Sequence, residues 1–305
     1  MSEFRTSRRD VVVTADELLA LLGEGTADAD ATPKAAHARA DVVVLEVGDL
    51  SSGGDLRAEY ATGHIPGAAY VSFEDVLRGV STGANGNGPL PEPADIEARI
   101  RGWGIEDGTT VVVYGRGRPG PVARAWFVLR WAGVADVRYL DGGWAAWISA
   151  VGRTSAEVAH RAPTTFVVKP GSLPTLTAAE AASLPGRGVL LDARAHEAYA
   201  GSSDQTDTTG HIPGAVSAPS AQLRGDDGSL LDDESIAAYF RRRGVDGSTP
   251  VGVYCGTGVS ATFDLLALHA IGVPAAVFVG SWSEWISDPS RPVEQAEPPS
   301  CSSTG

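Results

Sequence analysis

Cysteine and positive charge are both scarce in this chain. Two cysteines among 305 residues are too few for the disulfide framework that stabilises small secreted proteins. The sequence has 24 Lys and Arg against 38 Asp and Glu, which gives a net charge of −14. Because an acidic protein repels phosphate groups, we expect neither nucleic acid nor an acidic membrane surface as a partner.

Long apolar runs are absent as well. No stretch of the sequence approaches the ~20 apolar residues that a membrane-spanning helix needs. Near the start, Arg8 and Arg9 are followed by Asp10, Asp16 and Glu17, which interrupt the apolar region that an export signal requires. We therefore expect a cytoplasmic protein. The histidines and cysteines show no spacing typical of metal ligands, and the sequence implies no metal or organic cofactor.

The chain contains an internal duplication. Three motifs occur twice in the same order, at intervals far too long for a solenoid repeat. The pairs are GHIPGA at 63–68 and 210–215, VVVYGRG at 111–117 and VGVYCGTG at 251–258, and GGWAAWIS at 142–149 and GSWSEWIS at 280–287. We predict two copies of one domain, at 10–150 and 174–292, with a polar linker at 151–173 and a disordered tail at 293–305.

Each copy alternates apolar segments with helical ones. The first copy has apolar runs at 41–47 and 109–114, and the second copy has them at 188–194 and 249–254. Strands buried on one face alternate apolar with polar residues, and these runs do not. They predict an α/β fold in which each copy is a mostly parallel central sheet, flanked by helices.

The duplication lets one copy serve as a control for the other. GHIPGA occurs in both copies, so we interpret His64 and His211 as structural turn residues. The position after the central strand differs, because the first copy has Gly115 where the second has Cys255. Ligands of open α/β sheets bind beyond the carboxyl ends of the strands. Cys255 is therefore the candidate for chemistry.

The residues that follow Cys255 suit an anionic sulfur. Gly256 and Gly258 can adopt positive φ, which would let backbone amides converge on the sulfur. Ser260 is expected to cap the next helix, whose N-terminus carries partial positive charge. Such surroundings favour a thiolate and would stabilise a persulfide. The alternative is an inert cysteine buried behind a turn, and Cys301 in the tail is predicted to have no role.

These residues, taken in order over about 10–292, resemble the tandem rhodaneses, which comprise thiosulfate and 3-mercaptopyruvate sulfurtransferases. The resemblance implies that Cys255 takes a sulfane sulfur from a small anionic donor and forms a persulfide. It also implies an acceptor such as cyanide, a thiol or a thioredoxin-like protein. The first copy, which lacks the cysteine, is implied to be non-catalytic and to shape the cleft.

The loop is more similar to the mercaptopyruvate type, because Gly256 and Thr257 stand where thiosulfate-type loops usually place a cation. The resemblance implies that Thr257 assists proton transfer at Cys255. Substrate binding is assigned to Gly256, Gly258, Val259, Ser260, Arg194 and Arg116. Two departures concern the donor, since Ala198 replaces an arginine of the family and 202–210 holds none. Candidate replacements from the first copy are Arg116, Arg118 and Arg78, whereas Arg194 is also suited to pairing with Asp192.

Three other functions compete with this one. A phosphatase of the same architecture needs an arginine six positions after the cysteine to clamp phosphate, and that position is Ala261. The lost arginines favour a second reading, a sulfur-relay module that receives its sulfur from a protein donor and does not turn over small anions. A third reading is a binding protein whose loop is vestigial.

Overall fold

The computed structural model describes residues 6–23, 42–48, 56–150, 152–201 and 210–295. Within these ranges the chain forms two five-stranded sheets in which every strand pairing is parallel. Helices flank both sheets, so the predicted α/β fold with two similar domains is confirmed.

The first domain starts with a short helix and ends with a helix after its last strand. Its strands are β1 (Val12–Val13), β2 (Val42–Gly48), β3 (Ala69–Ser72), β4 (Thr110–Tyr114) and β5 (Asp136–Leu140). Its helices are α1 (Arg8–Val11), α2 (Ala15–Leu22), α3 (Leu56–Thr62), α4 (Phe73–Val76), α5 (Pro93–Gly102), α6 (Pro119–Trp131) and α7 (Gly143–Ala150).

The second domain repeats this order with shorter elements. Its strands are β6 (Thr175–Leu176), β7 (Val189–Asp192), β8 (Val216–Ser217), β9 (Val251–Tyr254) and β10 (Ala275–Phe278). Its helices are α8 (Ala178–Ser183), α9 (His196–Ala200), α10 (Asp233–Arg241), α11 (Ala261–Ala270) and α12 (Ser281–Trp285), with 3-10 turns at Leu184–Gly186 and Ser220–Leu223.

The two sheets share one topology. Their strand orders are β1-β5-β4-β2-β3 and β6-β10-β9-β7-β8. The central strands β4 and β9 are buried along nearly their whole length, which explains their unalternating apolar sequence. The edge strands β1 and β6 were not predicted from the sequence, because two residues are too few to show a periodicity.

Helices α6 and α11 pack against each other and join the two domains. Every residue of α11 is buried, because one side faces its own sheet and the other faces the first domain. A helix that is buried all round is mostly apolar, and α11 departs from this rule only at Thr262, Asp264 and His269, which are buried as well. One apolar cluster therefore runs through both domains and includes Val43 and Val113 of the first sheet with Val253 of the second.

The segment after each domain returns to its GHIPGA turn. Ser155 pairs with His64, and Glu294 pairs with His211, each through a short antiparallel bridge. Both imidazoles are buried and stack on a tyrosine ring, with centroids 3.9 Å and 3.8 Å apart. The structural interpretation of the two histidines is thereby confirmed. Cys301 and most of the predicted tail lie outside the described residues.

None of the helices described above is both long enough and apolar enough to cross a membrane.

The shared core makes a stability prediction for α11. Leu266 is fully buried, so Leu266→Ala removes contacts and leaves a cavity, and we expect a loss of about 2–5 kcal/mol in the free energy of unfolding. Ile148 is 39% exposed on α7, and Ile148→Ala is expected to change it by less than about 0.5 kcal/mol. Denaturant unfolding measures both values. Equal effects of the two substitutions would contradict the packing described here.

Candidate active site

Cys255 stands directly after the central strand β9, at the carboxyl edge of the second sheet. Its backbone is fixed from the start of α12. The Cys255 amide donates to Ser281 Oγ at 3.2 Å, and its carbonyl accepts from the Trp282 amide at 2.9 Å. Ser281 is buried and is the one non-glycine residue in the described ranges with positive φ, at 54°. Strain of this kind persists only where the surroundings impose it, so Ser281 holds Cys255 in a defined place.

The backbone amides after Cys255 are available to a ligand. None of the described residues accepts a hydrogen bond from the amides of residues 256–260. The first amides of α11 follow at once, and a helix N-terminus adds partial positive charge. Gly258 is buried and the other four residues are half-buried, so these amides can donate to a ligand in the loop without first breaking a hydrogen bond within the protein.

The loop conformation corrects two details of the sequence prediction. Gly258 has φ of 75°, but Gly256 has no positive φ. A Cβ atom at Gly258 would lie 2.2 Å from the carbonyl oxygen of Val279, whereas one at Gly256 would have no neighbour within 4 Å. Ser260 occupies the N-cap position of α11 but makes no capping hydrogen bond with its side chain. The tight turn therefore depends on Gly258 alone, and its stability does not come from a serine cap.

A cleft of about 720 Å³ lies between the two domains beside this loop. Thr257, Val259 and Ser260 line it, and Pro119 and Gly120 at the start of α6 face them. Cys255 is 2% exposed, belongs to the apolar cluster of buried residues, and is not among the residues that line the cleft. The sulfur is therefore shielded from bulk water.

A segment of the first domain also covers the cysteine loop. The amide of Asn87 donates to Ser283 Oγ at 2.9 Å. Gly88 lies so close to the loop that a Cβ atom there would be 2.2 Å from the carbonyl oxygen of Thr257. The domain without the cysteine thus forms part of the enclosure around it, as the family resemblance implies.

The structure places Arg116 away from the cleft. Its Nε donates to Glu46 at 2.6 Å, its Nη2 donates to the Gly63 carbonyl, and its guanidinium lies 3.8 Å from the Trp144 ring centre. The Tyr114 hydroxyl also donates to Glu46. Burial and the charge of Glu46 raise the pKa of Tyr114 above its ordinary value.

Arg194 occupies the same kind of cluster in the second domain. Its Nε donates to Asp192 at 2.9 Å, its Nη2 donates to the Gly210 carbonyl at 2.6 Å, and its guanidinium lies 4.4 Å from the Trp282 ring centre. Burial and the charge of Asp192 raise the pKa of Tyr254. The cluster is present in both copies, including the copy without the cysteine. We therefore interpret it as structural. The donor-binding role expected of Arg116 and Arg194 is therefore not supported by their positions.

Two other arginines do line the cleft, one from each domain. They are Arg118 and Arg224. Arg118 follows the glycine-rich turn of the first copy and was a candidate on sequence. Arg224 was missed, because it lies in a turn region outside every repeated motif. Glu74 and Asp226 line the same cleft, so the two cations do not give it an excess of positive charge.

The fold and the site define a two-domain α/β protein with one cysteine in an amide-rich loop. The sequence profile of the rhodanese-like domain matches residues 14–150 and 177–288. The chain belongs to the rhodanese family, and within it to the thiosulfate and 3-mercaptopyruvate sulfurtransferases.

Two relatives illustrate this membership. The chain is 39% identical over 293 residues to the "Putative thiosulfate sulfurtransferase SseB" of Mycobacterium tuberculosis, covering 94% of this chain and 98% of that protein. It is also 39% identical over 245 residues to the "Probable 3-mercaptopyruvate sulfurtransferase" of Pseudomonas aeruginosa, covering 77% and 85%. These two names differ in the donor, so the donor type does not follow from them.

A solved structure shares the fold. The anaerobic ergothioneine biosynthesis enzyme from Chlorobium limicola, solved with trimethyl histidine, superimposes with a TM-score of 0.79 at 23% identity. The match covers 96% of this chain and 72% of that enzyme. At this identity the likeness concerns the fold alone.

The two loop glycines provide a matched test of the site. Gly258→Ala places a side chain in the left-handed region, which costs about 1–2 kcal/mol, and against the Val279 carbonyl. We expect a loss of at least that size in the free energy of unfolding, together with slower alkylation of Cys255. Gly256→Ala meets open space and should alter neither quantity much. Tolerance of Gly258→Ala together with damage from Gly256→Ala would show that the loop geometry is wrong.

Proposed function

We propose that this protein is a sulfurtransferase that moves a sulfane sulfur through a persulfide on Cys255. The observation that carries the proposal is the run of unpaired amides at 256–260 beside a shielded cysteine. These amides have no acceptor among the described residues. A negatively charged sulfur at that place would accept their hydrogen bonds. Membership of the sulfurtransferase family supports the same assignment.

In the first step the Cys255 thiolate attacks the outer sulfur of the donor. A sulfur–sulfur bond forms, and the bond between that sulfur and the rest of the donor breaks, with its electron pair leaving on the donor remnant. Thiosulfate would leave as sulfite. 3-Mercaptopyruvate would leave as the pyruvate enolate, which needs a proton at carbon. Thr257 lines the cleft within two residues of Cys255 and is the hydroxyl proposed to pass that proton.

In the second step an acceptor attacks the outer sulfur of the persulfide. The new bond joins that sulfur to cyanide, a small thiol or the thiolate of a thioredoxin-like protein, and the sulfur–sulfur bond breaks to return the Cys255 thiolate. The amides of residues 256–260 would hold the persulfide between the two steps. No metal or organic cofactor enters either step.

The charges of the cleft bear on the donor. The cysteine loop itself has no cation, and Glu74 and Asp226 balance Arg118 and Arg224 on the cleft wall. A donor with one negative charge suits such a wall better than a dianion, because a dianion would need excess positive charge. We therefore propose 3-mercaptopyruvate rather than thiosulfate as the favoured donor, with Arg118 and Arg224 at the carboxylate.

The assignment of Cys255 is tested by substitution. Cys255→Ser is expected to abolish sulfur transfer to cyanide with either donor, because serine forms no persulfide. Mass spectrometry of the wild-type protein after donor treatment should show the mass of one added sulfur on the peptide that contains Cys255. The matched control is Cys301→Ser, which should retain full activity. Undiminished transfer by Cys255→Ser would refute the proposal, and persulfide formation without turnover of either donor would favour a sulfur relay.

The cleft arginines are tested through the donor. Arg224→Gln removes one cation from the wall, and we expect KM for 3-mercaptopyruvate to rise about 10-fold with kcat little changed, which corresponds to the ~1.4 kcal/mol of a lost charged contact. Arg242→Gln, on the exposed end of α10, makes the same change of charge outside the cleft and should leave KM unchanged. Steady-state kinetics with both donors measures the effects. Equal KM values in the two variants would remove Arg224 from the donor site.

A further inference from the structure

Arg124 in α6 of the first domain is fully buried. None of the carboxylates in the described parts of the chain forms an ion pair with it. Burying a guanidinium without an anion is expensive, because the charge loses its hydration and gains no counter-charge. A position of this kind requires an explanation from its surroundings.

The hydrogen bonds of Arg124 join the two domains. Its Nε donates to the Leu77 carbonyl at 3.2 Å, its Nη2 to the carbonyls of Gly88 and Pro89 at 3.0 Å each, and its Nη1 to the Gly258 carbonyl at 3.0 Å. A guanidinium has five N–H donors, and these bonds use four. The fifth N–H belongs to Nη1, the same nitrogen that holds the cysteine loop.

The charge of Arg124 acts on the same loop. Burial lowers the pKa of Arg124 to about 10, and a negative charge at Cys255 opposes that lowering. The guanidinium therefore stays protonated at neutral pH. Because both groups are out of water, salt screens their attraction far less than it screens surface pairs.

The geometry points to Arg124 as the counter-ion of the Cys255 thiolate, supplied by the domain that lacks the cysteine. It is a positioning residue, since four of its five N–H groups are engaged with carbonyls and it does not line the cleft where a donor would bind. This inference rests on the proposed role of Cys255 as the reactive thiol. If Arg124 is the counter-ion, the first domain contributes a charge to the site, because the second domain by itself does not contain this cation.

The test measures the reactivity of Cys255 without any sulfur donor. In a Cys301→Ser background the protein has one thiol, and its rate of alkylation by iodoacetamide is recorded against pH. Arg124→Met keeps an unbranched side chain and removes the charge, so we expect the midpoint of the profile to rise by about 1 pH unit or more. Arg124→Lys should restore much of that shift. An unchanged midpoint in Arg124→Met overturns the inference.

A control on the same helix separates this effect from a general change of charge. Arg130 is also in α6 but lines a different pocket, with Asp136 and His269, so Arg130→Met should leave the profile where it is. Because no donor is used, a protein that fails to turn over thiosulfate or 3-mercaptopyruvate can still pass or fail this test. A shifted profile with no turnover would support the counter-ion and contradict the proposed reaction.

A second variant covers the case in which Arg124→Met does not fold. Arg124→Gln removes the charge but keeps a side-chain amide that can donate to the surrounding carbonyls, and its alkylation profile should show the same rise in midpoint. An unchanged midpoint in Arg124→Gln overturns the inference.

Discussion

The unpaired backbone amides of residues 256–260 are the constraint around which the site is arranged. An amide that is removed from water must find an acceptor or lower the stability of the fold. Here the strand β9 ends, the chain turns at Gly258, and α11 begins before any described residue accepts from these donors. Ser281 and Trp282 fix the backbone on one side, and the first domain encloses it on the other. The proposed persulfide on Cys255 would supply an acceptor for these donors.

The duplication shows how one position can be released for chemistry. In the first domain the arginine of the buried cluster is Arg116, directly after Gly115. In the second domain the equivalent guanidinium is Arg194, which arrives from the neighbouring strand β7 and meets Asp192. Position 256 can therefore be a glycine with open space around it. The same buried pairing is kept in both domains. Only in the second domain is the position after the strand a cysteine, and the residue that follows it, Gly256, has no side chain.

The sequence predicted most of the elements that position the site. The repeated motifs located both central sheets, and the contrast between Gly115 and Cys255 singled out Cys255 as the candidate for chemistry. The pairing of Arg194 with Asp192 that the sequence suggested is present, whereas the pairing of Arg116 with Glu46 was not foreseen, since a motif does not state which partner an arginine binds. The details predicted for Gly256 and Ser260 were wrong, because residue type permits a positive φ or a cap without requiring either. Arg224 and Arg124 carried no signal, as neither belongs to a repeated motif.

The sequence by itself determined the family, the duplication and the cysteine, because these depend on local order along one chain. Only the tertiary structure decided which charges reach that cysteine. Arg124 is 131 positions before Cys255 in the sequence, and it meets the loop only because α6 and α11 pack together between the sheets. Electrostatic interactions depend on distance in space and on burial, and neither quantity can be read from sequence separation.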